Sequence, residues 1–242
     1  MTAIDFSRRA TTPELMDTED CDFATFRGCL RDLARVNRLT LAYRPTLSFL
    51  NALAEGGRLP AGRPLRILDV ASGQGDMLRR IARWGGRRGL PLELTGLDLN
   101  PWAVASAREA TPADLPIEWR TGNIFDFRPD RPVDLVISSL FTHHLDDVPL
   151  VRFLRWMEDE AALGWFVNDL HRHPLPYRLF ARASRLMRLH RFVQNDGPIS
   201  IARSFRAEDW RRYLTAAGLP EDAAAIGWWM PFRLCVARVR PA

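Results

Sequence analysis

Ile67-Leu68-Asp69-Val70-Ala71-Ser72-Gly73-Gln74-Gly75-Asp76 joins a short apolar run to a glycine turn and then to a helix-forming stretch. The run Leu65–Val70 has the length of a buried strand, and helical spacing extends from Asp76 to about Arg88. Glycines let the turn between them bend sharply and pass close to a ligand. The alternation continues outward. Leu92–Leu99 reads as a second strand, and Asn100-Pro101 opens a helix with a capping side chain and a proline at its first position. Ile117–Thr121 and Val133–Ser139 read as strands, Asp146–Ala162 as a helix and Leu163–Asp169 as a fifth strand. Such alternation predicts an α/β fold, a Rossmann-like, mostly parallel seven-stranded sheet with helices on both faces. Ala223–Trp229 and Phe232–Val239, linked through Met230-Pro231, complete it as a pair with an antiparallel member.

Other segments decorate this core. Residues 1–21 form a polar lead-in, expected to be mobile. A helical cap spans 22–61, with one helix from Asp22 to about Tyr43, a break at Pro45, and a second helix over Thr46–Glu55. The main domain covers 62–242 and carries a helical insertion at about 172–204. Within the insertion, 174–192 predicts an amphipathic helix. Arg178, Arg182 and Arg185 share one face, with Leu179, Phe180, Ala183, Leu186 and Met187 opposite. Residues 194–200, QNDGPIS, read as a loop, and Phe205–Ala217 as a further helix.

Composition narrows the class. A hydrophobic fraction of 47% and a charged fraction of 26% exclude a disordered or fibrous chain. Cys21, Cys29 and Cys235 form neither a disulfide framework nor a metal-ligand spacing, and no apolar window is long enough for a transmembrane segment. The first twenty residues lack the apolar core of a secretory signal, so the expected location is cytoplasmic. The net charge is +5, and all 34 basic residues are arginine. They are interleaved with acids and never run to five, so no nucleic-acid partner is expected. The expected partner is a small molecule; the sequence leaves the oligomeric state open.

The glycine turn excludes two nucleotide motifs. A dinucleotide fingerprint needs a third glycine where Leu78 stands, and a phosphate loop needs a lysine that the chain lacks. Asp98 ends the second strand, where a carboxylate can accept hydrogen bonds from both ribose hydroxyls. Asp69 precedes the turn, where it would repel a pyrophosphate. The pair favours a ligand with a nucleoside and a cationic end. A plain strand–helix turn, with Asp98 serving only as a helix cap, is the structural alternative.

On these residues the chain resembles the class I S-adenosylmethionine-dependent methyltransferases. Their pattern is an apolar strand, an acidic glycine-rich loop, and an acid ending the next strand. Here the loop reads Asp69-Val70-Ala71-Ser72-Gly73-Gln74-Gly75, with Ala71 where the family has its first glycine. The resemblance covers roughly residues 62–170. It implies S-adenosyl-L-methionine as cofactor, held by Asp69, Ala71, Ser72, Gly73, Gly75, Asp98 and Leu99. Asn123 would face the adenine edge, Ile124 the adenine ring, and Ser138 and Ser139 the methionine part. A looser resemblance, through LFTHHL and DGPIS, is to small-molecule methyltransferases of polyketide and phenolic-lipid pathways. It implies a hydroxylated aromatic or polyketide-like acceptor in secondary metabolism.

Two histidine groups carry the expected chemistry. His143 and His144 follow the fourth strand, at the ligand-facing end of the sheet, where an imidazole can take the proton of a phenol. The residues do not choose between them. His171 follows the fifth strand beside Asp169, either as part of an acid–base unit or as polar rim. The spacing does not point to a metal. The expected reaction is methyl transfer to a hydroxyl oxygen, with carbon methylation of an activated ring or a nicotinamide-dependent oxidoreductase on a similar sheet as alternatives. Phe26, Tyr43, Phe141, Tyr177 and Phe180 are candidates to line a lipophilic pocket.

Overall fold

The computed structural model describes residues 4–241. Seven strands, β1 (Leu65–Val70), β2 (Leu92–Asp98), β3 (Ile117–Thr121), β4 (Val133–Ser139), β5 (Ala161–Leu170), β6 (Ala224–Trp229) and β7 (Arg233–Val239), form one sheet in the order β3-β2-β1-β4-β5-β7-β6. β1 through β5 pair in parallel, while β7 runs antiparallel to both β5 and β6. The chain direction across the sheet reverses between β1 and β4. That switch opens a crevice beyond the carboxyl ends of the two strands.

Short helix α1 (Leu15–Thr18) and cap helices α2 (Phe23–Leu39) and α3 (Arg44–Glu55) precede the sheet. Asp22 caps α2, accepting from the Thr25 amide at 2.7 Å, and Pro45 occupies the first turn of α3. Helices α4 (Asp76–Gly86), α5 (Pro101–Ala110) and α6 (Asp147–Glu160) follow β1, β2 and β4 respectively. Asn100 caps α5 through the Trp102 amide, leaving Asp98 free for another role. Helices α7 (Pro174–Leu186), α8 (Arg191–Arg203) and α9 (Ala207–Ala216) fill the span between β5 and β6.

Both sheet faces bury apolar clusters. One joins Val136, Trp165 and Val236 to Phe153, Met157 and Trp210 from α6 and α9. The other joins Ile67, Leu135 and Phe166 to Phe49, Leu78 and Ile81 from α3 and α4. Burial on both faces explains why these strands read as continuous apolar runs.

Three expectations need correction. The predicted loop at 194–200 lies within α8. Gly197 gives that helix a flat spot, since a Cβ there would stand 2.0 Å from the Phe180 ring of α7. The expected helix 174–192 divides at Arg188, whose φ is +51°. Finally, the described part of the lead-in is fastened to the body. Arg172 is 1% exposed and donates to the Phe6 and Ser7 carbonyls, and the Ala10 amide donates to the Ala202 carbonyl.

Candidate active site

The glycine loop is held in left-handed backbone geometry, with φ of +56° at Ala71, +52° at Gly73 and +73° at Gly75. Only Gly75 is also sterically confined: a Cβ there would stand 2.0 Å from the Trp119 ring of β3. At Gly73 a Cβ would meet nothing within 4 Å, so the loop presents open space and bare backbone. The Asp98 carboxylate reaches across from β2 and accepts from the Gly73 amide (2.8 Å) and the Asn100 amide (2.9 Å). Each oxygen keeps acceptor capacity for a ligand. Burial raises the Asp98 pKa, against those two amides.

Asp69 is fully enclosed. Burial, reinforced by the charges of Asp76 and Asp98, pushes its pKa well up. A cationic ligand group would reverse that penalty. Nearby, Tyr43 donates to Asp76 at 2.5 Å, closing the cap helices over the loop.

A cavity of about 440 Å³ begins at this loop. Asp69, Ala71, Ser72, Gly73 and Ser139 form its sheet side. Leu33 and Val36 of α2, with Leu179 and Phe180 of α7, form an apolar wall, and His143 and His144 lie on its boundary. Among the described residues, the Ser72 and Ser139 hydroxyls are buried without a hydrogen-bond partner. Asp98, Leu99, Gly75, Asn123 and Ile124 lie outside this lining. Leu99 is 71% exposed just beyond β2, Asn123 accepts from the Phe125 amide, and Ile124 is buried. Ser138 is turned away, its hydroxyl donating to the Val70 carbonyl at 3.1 Å.

His143 and His144 stand on a single 3₁₀ turn, Thr142–His144. His143 is buried, with its Nδ1 2.7 Å from Asp169 Oδ1. Asp169 also accepts from Thr142 Oγ1 (2.5 Å) and from the His143 and Leu170 amides. Burial pushes the Asp169 carboxyl up, but the His143 charge and these donors outweigh it and hold it at about 2. Arg203 and Arg9 both donate to the His143 carbonyl, and they also reach the His144 and Leu145 carbonyls respectively. The turn is therefore fixed from outside the cavity.

Glu14 completes the cluster, and sequence reading missed it. It is buried and accepts from Ser200 Oγ at 2.8 Å. Its two carboxylate oxygens stand 3.7 Å from His143 Nε2 and 3.8 Å from His144 Nε2. His144 Nδ1 lies 3.1 Å from Asp17. Burial lowers the His144 pKa, but Asp17 and Glu14 more than offset this and raise it above its usual value. Glu14, His143 and His144 together offer three converging atoms that can hold a metal ion.

His171 is placed elsewhere. It bridges Phe205, its ring stacks on His173, and it is absent from the cavity lining. Of the aromatic candidates, Tyr43 and Phe180 reach the cavity. Phe26 packs among the helices with Leu30, Phe141 against Phe153, and Tyr177 against Phe6.

Residues 67–160 match the family described as a methyltransferase domain. Trans-aconitate 2-methyltransferase of Mycobacterium tuberculosis is 27% identical over 114 residues, which are 47% of this chain and 40% of that protein. The chain therefore matches less than half the length of that relative. The fold is shared with the plantazolicin methyltransferase BpumL in complex with SAH, at a TM-score of 0.62 and 14% identity, covering 89% of this chain and 96% of that one. It is shared too with magnesium protoporphyrin IX methyltransferase from Synechocystis PCC 6803 with bound SAH, at a TM-score of 0.55 and 14% identity, covering 82% and 83%.

Residues 67–160 are thus similar to a methyltransferase domain, on a fold shared with solved methyltransferases.

The glycine loop fits a nucleoside-bearing cation on this chain's own geometry. Among the described residues, Asp98 has free acceptor capacity, Asp69 is an enclosed acid without a cationic partner, and Ser72 and Ser139 carry unpartnered hydroxyls. In this domain Ala71 adopts the left-handed backbone itself, so the missing glycine alters the loop's cost and not its path.

Proposed function

We propose that this chain is an S-adenosylmethionine-dependent methyltransferase that methylates a hydroxyl oxygen of a small, lipophilic, aromatic or polyketide-like molecule. The observation carrying this reading is the continuous cavity joining the glycine loop to His143 and His144. The cofactor, S-adenosyl-L-methionine, supplies an electrophilic methyl group on a sulfonium. Asp98 accepts from its ribose, Asp69 balances its cationic end, and Ser72 and Ser139 serve its polar atoms. The cap helices and α7 exclude water and hold the acceptor in line, which is most of what a displacement of this kind requires.

Of the two histidines, His143 is the stronger candidate for the base. Its Nδ1 is engaged by Asp169, which leaves Nε2 as the ring nitrogen available to take a proton. A phenol titrates near pH 10, and losing its proton to Nε2 as the methyl bond forms raises its nucleophilicity. Asp169 remains ionised and stabilises the imidazolium that results.

The test is methyl transfer from labelled S-adenosylmethionine to a panel of alkylated phenols and enolised diketones, with the product's new bond assigned by carbon NMR. An O-methyl product, lost in His143→Gln, supports the reading. A C-methyl product, or activity unchanged in that variant, contradicts it.

A further inference from the structure

Helix α7 shows solvent an unusual face. Leu175 is 48% exposed, Leu179 50% and Leu186 86%. At 100° per residue these three fall within about 40° of one another around the helix axis. The sequence expectation had placed the leucines opposite the arginines, but Arg178, Arg182 and Arg185 are exposed along the flank of the same stripe, and Arg188 is exposed just beyond it. Among the described residues, none of these four arginines makes an ion pair or a side-chain hydrogen bond. The arginines elsewhere in the fold are commonly paired, as Arg63 is with Asp134 and Arg238 with Glu158.

A second exposed apolar group adjoins this face. Trp228 is 52% exposed and Met230 70%. Trp228 packs edge-on against Phe232, whose ring stacks on His173, the N-cap of α7. The adjoining side of α7 is the cavity wall: Pro176, Leu179, Phe180 and Ala183 line the cavity, together with Pro231 and Phe232 from the hairpin, and Leu179 belongs to both faces. The exposed leucines thus border the cavity wall along one edge of the helix, at Leu179.

We infer that α7 and the β6–β7 turn dock this protein on an anionic lipid bilayer, with Leu175, Leu186 and Met230 in the acyl boundary and Arg178, Arg182, Arg185 and Arg188 among the headgroups. Three exposed leucines flanked by unpaired cations match a surface that is apolar below and negatively charged above. A globular protein partner would leave the arginines seeking paired acids in fixed positions; a bilayer supplies mobile ones. The consequence rests on the lipophilic-acceptor reading above: an amphiphilic acceptor passes between the bilayer and the cavity along α7 without crossing water.

The experiment is co-sedimentation of the purified protein with vesicles of phosphatidylcholine alone and of phosphatidylcholine with phosphatidylglycerol. Binding to the anionic vesicles at least about tenfold tighter than to neutral ones, and weakening as salt rises, is expected. Leu186→Asp and the pair Arg182→Glu and Arg185→Glu should each weaken binding about tenfold or more while keeping the wild-type melting temperature, since all three side chains are in water. Equal behaviour on both vesicle types, no sedimentation, or binding unchanged by Leu186→Asp would overturn the proposal. So would a dimer in sedimentation velocity that Leu186→Asp dissociates, for then a second copy covers the face. No cofactor or acceptor is present in this assay, so its failure is separate from failure of the methyltransferase reading.

Discussion

His143 has one ring nitrogen committed to Asp169 at 2.7 Å and the other directed toward Glu14 at 3.7 Å. Asparagine in place of Asp169 would let the ring turn or change tautomer without opening a void. Asp169→Asn should therefore lower kcat by about 10²-fold or more, the range for disturbed acid–base catalysis, while leaving the dissociation constant for S-adenosylhomocysteine unchanged. The Glu14 contact poses a separate question, because Glu14, His143 and His144 can also hold a metal. If His143 takes the proton, exhaustive treatment with a chelator leaves turnover unchanged. Loss of activity restored by zinc or manganese would make these residues ligands instead. The positions of Asp98, Asp69 and the glycines at the ends of β1 and β2 were legible in the sequence because strand and turn signals constrain local spacing. Glu14 was not, since its partner Ser200 lies 186 positions away and nothing in PELMDTED marks a buried acid.

At the scale of elements, one aromatic ring ties the sheet to the loop. Trp119 of β3 fills the space that side chains at Gly75 and Gly96 would occupy; a Cβ at Gly96 would stand 2.2 Å from the ring. Gly96 itself lies in β2 with ordinary strand backbone, so its substitution is a test of packing alone. Gly96→Ala should cost about 1–3 kcal/mol in urea denaturation, the usual range for overpacking a core, and should weaken S-adenosylhomocysteine binding by displacing the ring beneath Gly75. The strands were legible because burial on both faces leaves short apolar runs with little ambiguity. Helix α8 was not: Gly197 and Pro198 are local breakers, and the close approach of Phe180 that favours glycine there is a tertiary fact.

Across the whole molecule, buried acids pull stability in opposite directions with pH. Asp134 lies under Arg63, which donates to both carboxylate oxygens at 2.8 and 2.7 Å, and it also accepts from the Arg66 amide. Burial raises its pKa, yet these donors win and lower it below 3.8. Its contribution is therefore complete above pH 3.8 and is lost as pH falls through the lower folded value. Asp69 and Asp98 have raised values, so at neutral pH they oppose folding, and that penalty lessens on acidification. Asp134→Asn should destabilise the protein at pH 7 and flatten the acid limb of a melting-temperature profile below pH 4. A variant with the wild-type acid limb would remove Asp134 from this role. Residues 4–21 fold back onto the body, secured by Arg172 and Arg9, and through Glu14 and Met16 the expected mobile lead-in forms part of the cavity wall.

S-adenosylmethionine is proposed to sit on the loop from Asp69 to Gly75, with Asp98 at its ribose. Calorimetric titration of the protein with S-adenosylhomocysteine, with NADH as a parallel titrant, tests it most directly. One-site binding of S-adenosylhomocysteine is expected, weakened at least about tenfold in Asp98→Ala through loss of two charge-assisted hydrogen bonds, with no heat from NADH. Binding of NADH without S-adenosylhomocysteine would contradict it.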